Sequence, residues 1–286
     1  NFSNISEKSI QHYGAQIVPI AKEYLTNDIY SDKDYFRAEN DTVNFTIPVL
    51  GLFNFSKGMY KVVNIIVFVL FLLAFALEGV RGRLKAANVF KSSLVILGTG
   101  VGVLVLGEVI AYVCSLISGA RFKLFGVIHG ISYDNIAMII STVVLAVICV
   151  LVYLRGRGAA VRKVAGSMRA SAAYNAAAKY AGNMLYGTLT LMFLLSAVLL
   201  FALGENLMFF IPLTFATVAL ILYRLTSLKV WLLAAVPLIL LHAFSFLYAL
   251  AMALTIGAFG AVAMLAFFDI MVLIPMADMY LTAVKK

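Results

Sequence analysis

Charged residues are scarce in this sequence. Only 12% of the 286 residues are Asp, Glu, Lys or Arg, whereas hydrophobic residues make up 63% and the mean hydropathy is +1.01. Soluble globular chains contain about a quarter charged residues and about half apolar ones. The shortage of charge therefore excludes an ordinary soluble domain and predicts a protein that lies in a lipid bilayer.

Cysteine and histidine are scarce as well. Both cysteines, Cys114 and Cys149, fall inside long apolar runs, which excludes a disulfide framework and a Cys-x-x-Cys metal site. We interpret them as small apolar side chains packed between helices. The three histidines, His12, His129 and His242, have no spacing typical of metal ligands. The sequence therefore predicts neither structural disulfides nor a metal centre.

Long apolar runs fill most of the chain. A helix needs about 20 apolar residues to cross the hydrocarbon core of a bilayer. Seven such spans are predicted, at residues 62–80, 93–118, 135–154, 184–203, 207–223, 230–252 and 257–281. The last two are divided at a Leu-Thr-Ile-Gly stretch because the run is too long for one crossing. The predicted fold class is all-α, a polytopic membrane bundle of about seven helices in residues 59–286, preceded by a short extracytoplasmic segment with one amphipathic helix in residues 1–58.

Lys and Arg are distributed unevenly between the loops. Fourteen follow the odd-numbered spans, whereas the opposite loops between spans hold only Arg121 and Lys123. The fourteen are Arg81, Arg83, Lys85, Lys91, Arg155, Arg157, Arg162, Lys163, Arg169, Lys179, Arg224, Lys229, Lys285 and Lys286. Because cytoplasmic loops carry the excess of Lys and Arg, we expect residues 1–58 outside and the C-terminus in the cytoplasm. The net charge of +9 is then a topology signal, and nucleic acid is not an expected partner.

The inner loop after the third span is long, basic and rich in alanine. It could lie as a helix along the inner leaflet and contact anionic headgroups. Alternatively, it serves only as a positive retention signal with some helix. The candidate lipid-contacting residues are Arg155, Arg157, Arg162, Lys163 and Arg169.

Three ionisable residues, Glu108, His242 and Asp269, fall near the middle of predicted spans. Such residues cost free energy in hydrocarbon and are therefore candidates for function. A cavity shared by all three could bind a cation, relay protons or hold a peptide terminus. Alternatively, each pairs with polar groups inside the bundle and fixes helix packing. Glu78 and Asp278 rank lower because they lie near the predicted inner ends, where water is close.

Small residues in the second span predict close helix packing. Gly98 and Gly102 lie four residues apart in Gly-Thr-Gly-Val-Gly, a spacing that lets another helix approach. A phosphate loop is excluded because no Lys-Ser or Lys-Thr follows and the stretch lies inside a span.

The first residues differ from the rest of the chain because they predict a water-exposed amphipathic helix. Ser6 suits the N-cap position, and Glu7 places an acid in the first turn. Pro19 is expected to kink or interrupt the helix. An apolar stripe is formed by Ile10, Tyr13, Ile17, Ile20 and Tyr24. Residues 28–58 contain nothing large enough to cover this stripe, so we expect the helix to pack on a body outside this chain or to lie on the membrane.

The stretch NISEKSIQHYGAQIVPIAKEYL, with its Gln-His-Tyr-Gly, resembles the last helix of the M28 family of zinc aminopeptidases. The following AENDTVNFTIPVLGLFNFSKGM resembles the junction to the first span in the membrane-embedded branch of that family, which includes the endoplasmic-reticulum metallopeptidases and the vacuolar membrane proteases. The resemblance covers roughly residues 1–60. It implies that residues 59–286 anchor and orient an extracytoplasmic aminopeptidase domain that acts on peptides.

The resemblance also implies where the zinc lies. Family members hold two zinc ions with His, Asp and Glu ligands, and the last ligand stands in a His-Thr-x-x-Asp stretch before the position of Asn1. No signal peptide and no initiator Met precede the first span, so we expect a processed or excerpted piece of a longer protein. The two zinc ions are expected upstream, with no cofactor in this chain, which alone should be inactive.

The expected partners are the lipid bilayer, the upstream peptidase domain in the same or a cleaved chain, peptide substrates and a further copy of the chain. Two alternatives from other functional classes stay open. One is a free-standing seven-span transporter or channel that uses Glu108, His242 and Asp269. The other is a structural subunit of a membrane complex.

Overall fold

The computed structural model describes residues 7–32, 42–126, 128, 136–164 and 170–282. These residues form eight α-helices and one β-hairpin. The elements are α1 (Glu7–Thr26), β1 (Thr42–Ile47), β2 (Gly51–Ser56), α2 (Lys57–Val80), α3 (Ala86–Ile117), α4 (Ile136–Arg162), α5 (Ala170–Leu203), α6 (Leu207–Thr226), α7 (Val230–Leu254) and α8 (Phe259–Thr282). Seven helices, α2 to α8, are long and apolar enough to cross a membrane. The predicted fold class, an all-α polytopic membrane bundle, is therefore confirmed.

The chain divides into two compact units, Asn1–Val43 and Asn44–Lys286. In the first unit, α1 continues through Pro19, so the expected interruption there is wrong; the predicted cap Ser6 lies outside the described residues. The helix ends at Thr26, and the next residue, Asn27, donates from its amide to Glu23 Oε1 at 2.8 Å and accepts at Oδ1 from the Ile29 N–H at 3.2 Å. A short 3₁₀ turn follows, and this polar end is well fixed.

A β-hairpin precedes the first span, where the sequence predicts no strand. Strands β1 and β2 pair with each other, and Phe45 stacks on Phe53 with ring centroids 5.3 Å apart. The turn between them places Val49 and Gly51 at positive φ. Strand β2 passes directly into α2, where the Ser56 hydroxyl accepts from the backbone N–H of Met59 at 3.3 Å and caps the helix. The first span therefore starts without a flexible linker after the hairpin.

Helices α5 and α8 occupy the centre of the bundle. In each of them 56% of the most apolar window is buried inside the protein, against 22% in α4 and 28% in α2 and α7. Helix α8 packs against α3, α5 and α7, and α5 packs against α3, α6 and α8.

Close helix contacts use small residues other than the predicted pair. A Cβ atom on Gly107 of α3 would lie 2.6 Å from the Cα of Gly260 on α8, so only glycines fit this crossing. A Cβ atom on Gly100 would lie 3.5 Å from the Phe267 ring, an ordinary van der Waals contact, so this position does not require glycine. A Cβ on Gly98 or Gly102 would meet no described atom within 4 Å, so the predicted packing at these two glycines is wrong. Since all sides of α3 are apolar, the sequence does not show which face is buried.

The break between the last two spans lies where the sequence predicts it. Thr255 has a φ of 54° and separates α7 from a short 3₁₀ turn that leads into α8. The loop after α3 is fixed to this turn, because the Phe125 N–H donates to the Gly257 carbonyl at 2.8 Å and the Ile128 N–H donates to the Thr255 hydroxyl at 2.9 Å. The end of α3 and the start of α8 are thus held together.

The basic loop after the third span is much shorter than predicted. Helix α4 continues to Arg162 and α5 begins at Ala170. Alanine has the highest helix propensity, so the Ala-rich flanks extend the two neighbouring helices. Within residues 155–183 the described part forms no separate helix along the membrane surface, which corrects that expectation.

Candidate functional site

Glu108 lies where α3 crosses the start of α8. It is buried, and its Oε1 accepts from the backbone N–H of Gly260 at 3.1 Å. The first N–H groups of a helix lack partners within the helix, and the helix dipole favours an anion there. Glu108 therefore caps α8 from a neighbouring helix. Its Oε2 has no hydrogen-bond partner among the residues that the structure describes.

His242 on α7 and Asp269 on α8 line one narrow cavity, walled by Met192, Phe209 and other apolar side chains. The His242 ring is buried and stacks on Phe246 at 5.9 Å, and its Nε2 has no hydrogen-bond partner in the described part of the chain. The carboxylate of Asp269 likewise forms no hydrogen bond and no ion pair with any described residue.

The structure thus brings together two of the three predicted intramembrane residues and separates the third. Glu108 is level with Gly260 in the first turn of α8, whereas Asp269 lies nine residues further along that helix, about 13 Å at 1.5 Å per residue. A polar cavity shared by Glu108, His242 and Asp269 is not formed. The packing interpretation accounts for Glu108.

Glu78, near the end of α2, contacts two arginines. Its side chain is only 2% exposed, and its Oε2 accepts from Arg224 Nη2 at 2.9 Å. The Nε of Arg224 lies 2.9 Å from Oε1 without hydrogen-bond geometry, and Arg83 Nη1 is 3.5 Å from the same oxygen. One carboxylate therefore ties the end of α2 to the end of α6 and to the α2–α3 loop.

A cavity of about 920 Å³ opens beside Glu78, between the α2–α3 loop and the adjacent parts of α5, α6 and α8. We call it the basic cavity, because its walls carry the five basic residues Arg81, Arg83, Lys179, Arg224 and Lys229. Among the described residues Glu78 is the only acid that lines it. Tyr186 of α5 forms part of the wall, is 1% exposed, and its hydroxyl has no hydrogen-bond partner within the described ranges.

Asp278, near the end of α8, organises a second ionic cluster. Its Oδ2 accepts from the Tyr153 hydroxyl at 2.8 Å and from Arg157 Nε at 2.7 Å, both on α4. Arg157, one of the predicted lipid contacts, is thus held by a carboxylate of the bundle and is only partly exposed.

The other predicted lipid contacts lie elsewhere. Arg155, Arg162 and Lys163 are exposed, and for them contact with lipid stays a prediction. Arg169 lies outside the described residues.

A buried network of hydrogen-bonded, uncharged polar side chains lies near the start of α2. The sequence does not predict it. The Asn206 amide donates to Asn64 Oδ1 at 2.8 Å and to Ser196 Oγ at 2.6 Å, and its Oδ1 accepts from the Tyr60 hydroxyl. These side chains connect α2, α5 and the α5–α6 loop. Asparagine inside or beside an apolar span is the available signal, but a search confined to ionisable residues passes over it.

The described residues offer no cluster of three or more His, Cys, Asp or Glu side chains that could hold a metal ion. A catalytic zinc ion requires three protein ligands around an open position. This part of the chain therefore does not fit the zinc centre of an M28 peptidase. His129 lies outside the described ranges.

No protein-family model matches the sequence, and no curated protein and no solved structure matches it either.

Proposed function

We propose that the chain is the membrane domain of an M28-type zinc aminopeptidase, and that it anchors and orients an extracytoplasmic catalytic domain encoded before Asn1. The observation that carries this proposal is the exposed apolar face of α1. Ile17, Ile20 and Leu25 are 59%, 69% and 81% exposed. Because an amphipathic helix draws most of its stability from packing of its apolar face, this face needs a partner. A helix that closes a catalytic domain would find that partner in the domain itself.

Orientation supports the proposal. The excess of Lys and Arg after the odd-numbered spans favours a cytoplasmic C-terminus and an extracytoplasmic α1, which is the side of the catalytic domain in the M28 membrane branch.

The coding sequence before Asn1 tests the family assignment. A His-Thr-x-x-Asp motif directly upstream, with further His, Asp and Glu residues before it, is the expected result. A start codon immediately before Asn1 would overturn the proposal. The protein with its upstream region should hold about two zinc ions and lose aminopeptidase activity on chelation.

The apolar face of α1 can be tested in that longer protein. Ile20→Asp places a charge on the face that we expect to be covered and should destabilise the catalytic domain by at least about 2 kcal/mol. Gln11→Asp on an exposed polar position is the matched control and should leave stability and activity unchanged. Equal effects of the two substitutions in thermal unfolding would count against a covering domain.

Thiol labelling of intact cells tests the orientation. In a background where Cys114 and Cys149 are replaced by Ala, an impermeant reagent should label Leu52→Cys on the hairpin and should not label Lys163→Cys, both at exposed positions. Labelling of position 163 from outside would reverse the topology.

A further inference from the structure

The basic cavity contains positive charge that the described carboxylates do not compensate. Arg83 and Arg224 contact Glu78. In contrast, Arg81 and Lys179 line the cavity with no carboxylate within 4 Å among the described residues. At least two cationic groups therefore line the cavity without a counter-ion among the described residues.

The C-terminal ends of α2, α6 and α8 lie beside the cavity, and their free carbonyl groups stabilise some of these cations. Helix C-termini favour cations, by about 0.3–1 kcal/mol each within the last turn. This effect does not account for Lys179, because that residue lies nine positions after the start of α5, far from the C-terminus of its own helix at Leu203. Lys179 and Tyr186 approach the cavity from α5, at the centre of the bundle.

The hydroxyl group of Tyr186 is the second, independent observation. It is buried in the cavity wall and has no hydrogen-bond partner among the described residues. A buried polar group without a partner costs about 1–3 kcal/mol, so an acceptor located in the cavity would stabilise this hydroxyl. An anion oxygen in the cavity would accept this hydrogen bond and compensate Arg81 and Lys179 at the same time.

We propose that the basic cavity binds a phosphate group, carried by an anionic phospholipid headgroup or by a free phosphate compound. The cavity lies at the ends of membrane-spanning helices, where the headgroups of a bilayer are located. Basic pockets between transmembrane helices at this level are suited to anionic headgroups. Its volume of about 920 Å³ exceeds that of a single phosphate ion and accommodates the remainder of a headgroup. This assignment does not depend on the peptidase proposal.

The test measures binding of short-chain phosphatidylglycerol to the detergent-solubilised full-length protein by calorimetry, with phosphatidylcholine of the same chain length as the uncharged comparison. The double variant Arg81→Gln/Lys179→Gln should weaken phosphatidylglycerol binding about 30-fold, which corresponds to about 1 kcal/mol per cation. Lys85→Gln/Lys91→Gln is the matched control, because it removes the same charge from exposed positions that follow Arg81 but do not line the cavity. It should change binding less than about threefold.

A third variant keeps the test valid if the double variant is destabilised. Tyr186→Phe removes only the hydroxyl and should weaken binding about fivefold, the value of one modest hydrogen bond. Thermal unfolding in detergent should be the same for wild type and both double variants, since Arg81 and Lys179 are exposed and form no ion pair with a described residue. If the double variant unfolds early, Tyr186→Phe carries the test alone.

Inorganic phosphate distinguishes the two sources of the ligand. If millimolar phosphate binds and displaces the lipid, the site belongs to a free phosphate compound; if the lipid binds and phosphate does not displace it, the site belongs to a headgroup. Both results support the proposal. It is overturned if neither probe binds, or if the two double variants lose binding equally, because diffuse surface charge would then explain the affinity.

Discussion

The acids at the ends of the bundle and the acids within it are held in different ways. Glu78 and Asp278, near the ends of α2 and α8, bind arginines at 2.9 and 2.7 Å. Glu108 binds a backbone N–H, and Asp269 binds no described group. Position along the helices accounts for the difference, because Asp269 lies in the middle of α8 and Glu108 meets the free N–H groups of its first turn. An arginine near a helix end keeps its stem in the bundle and its guanidinium near water, whereas an arginine at the bilayer centre is costly.

The comparison shows which acids tie the helices together. Each end acid connects elements distant in the chain: Glu78 joins α2 to α6, and Asp278 joins α8 to α4. The deep acids lie among apolar walls and contribute at most a helix cap. Removal of an end acid should therefore destabilise the bundle more than removal of a deep one. Four substitutions test this order, beginning with the largest expected effect.

Glu78→Gln should lower the free energy of unfolding by about 3 kcal/mol, because it leaves Arg224, 25% exposed, without its carboxylate. Unfolding in mixed detergent and SDS measures the effect. The double variant Glu78→Gln/Arg224→Gln should be less destabilised than the sum of the single variants, since the two residues act as a pair.

Arg83→Gln provides the control for Glu78. Its side chain is 51% exposed and its contact with Glu78 is 3.5 Å long, so the loss should stay below about 1 kcal/mol. Equal losses for Glu78→Gln and Arg83→Gln would contradict the assignment of Glu78 and Arg224 as the main tie between α2 and α6.

Asp278→Asn should lower stability by about 1.5 kcal/mol, less than the change at Glu78. The amide oxygen can still accept from the Tyr153 hydroxyl, so the substitution mainly removes the charge that holds Arg157, a partly exposed side chain. The same unfolding assay measures it. Arg155→Gln, at an exposed position on the same turn of α4, should have no measurable effect, and an equal loss there would mean that Asp278 does not tie α4 to α8.

The number of spans follows from the sequence because bilayer thickness sets the length of each apolar run. The break between α7 and α8 at Thr255 is predicted for the same reason, because the apolar run is too long for one crossing. The hairpin also left a signal, since Val43, Phe45 and Ile47 alternate with polar residues, as in a half-buried strand. The hairpin is nevertheless not among the elements predicted for residues 28–58.

The pairs of residues that bind each other across the bundle cannot be predicted from the sequence in this way. Glu78 and Arg224 are 146 positions apart, and Tyr153 and Asp278 are 125 apart. Only the packing of α2 on α6 and of α4 on α8 brings them together. Apolar residues surround every span, so sequence periodicity does not indicate which face is buried. Depth alone therefore ranked Glu108 and Asp269 above the two acids that bind arginine.

Glu108→Ala should cost about 1 kcal/mol, the usual value of a helix cap. Glu108→Gln keeps an oxygen that can accept from the Gly260 N–H and should cost only a few tenths of that amount. The decreases in the free energy of unfolding for the two variants are compared. A much smaller decrease for Glu108→Gln indicates that Glu108 acts as a helix cap and that its charge is not needed. If Glu108→Gln is as harmful as Glu108→Ala, the carboxylate charge itself matters.

Asp269→Asn should have the smallest effect, a change in the free energy of unfolding within about 0.5 kcal/mol of zero. The side chain has no hydrogen-bond or ion-pair partner among the described residues, so the substitution removes no interaction. The new amide could also donate to His242, which lines the same cavity and whose Nε2 lacks a described partner. His242→Gln in the Asp269→Asn background is the control, and it should be close to additive unless the amide binds the ring. A loss above about 2 kcal/mol for Asp269→Asn would show that the carboxylate is held in the native protein by a group such as a bound cation. That result would remove the contrast between end acids and deep acids, and it would give the transporter alternative an intramembrane site at His242 and Asp269.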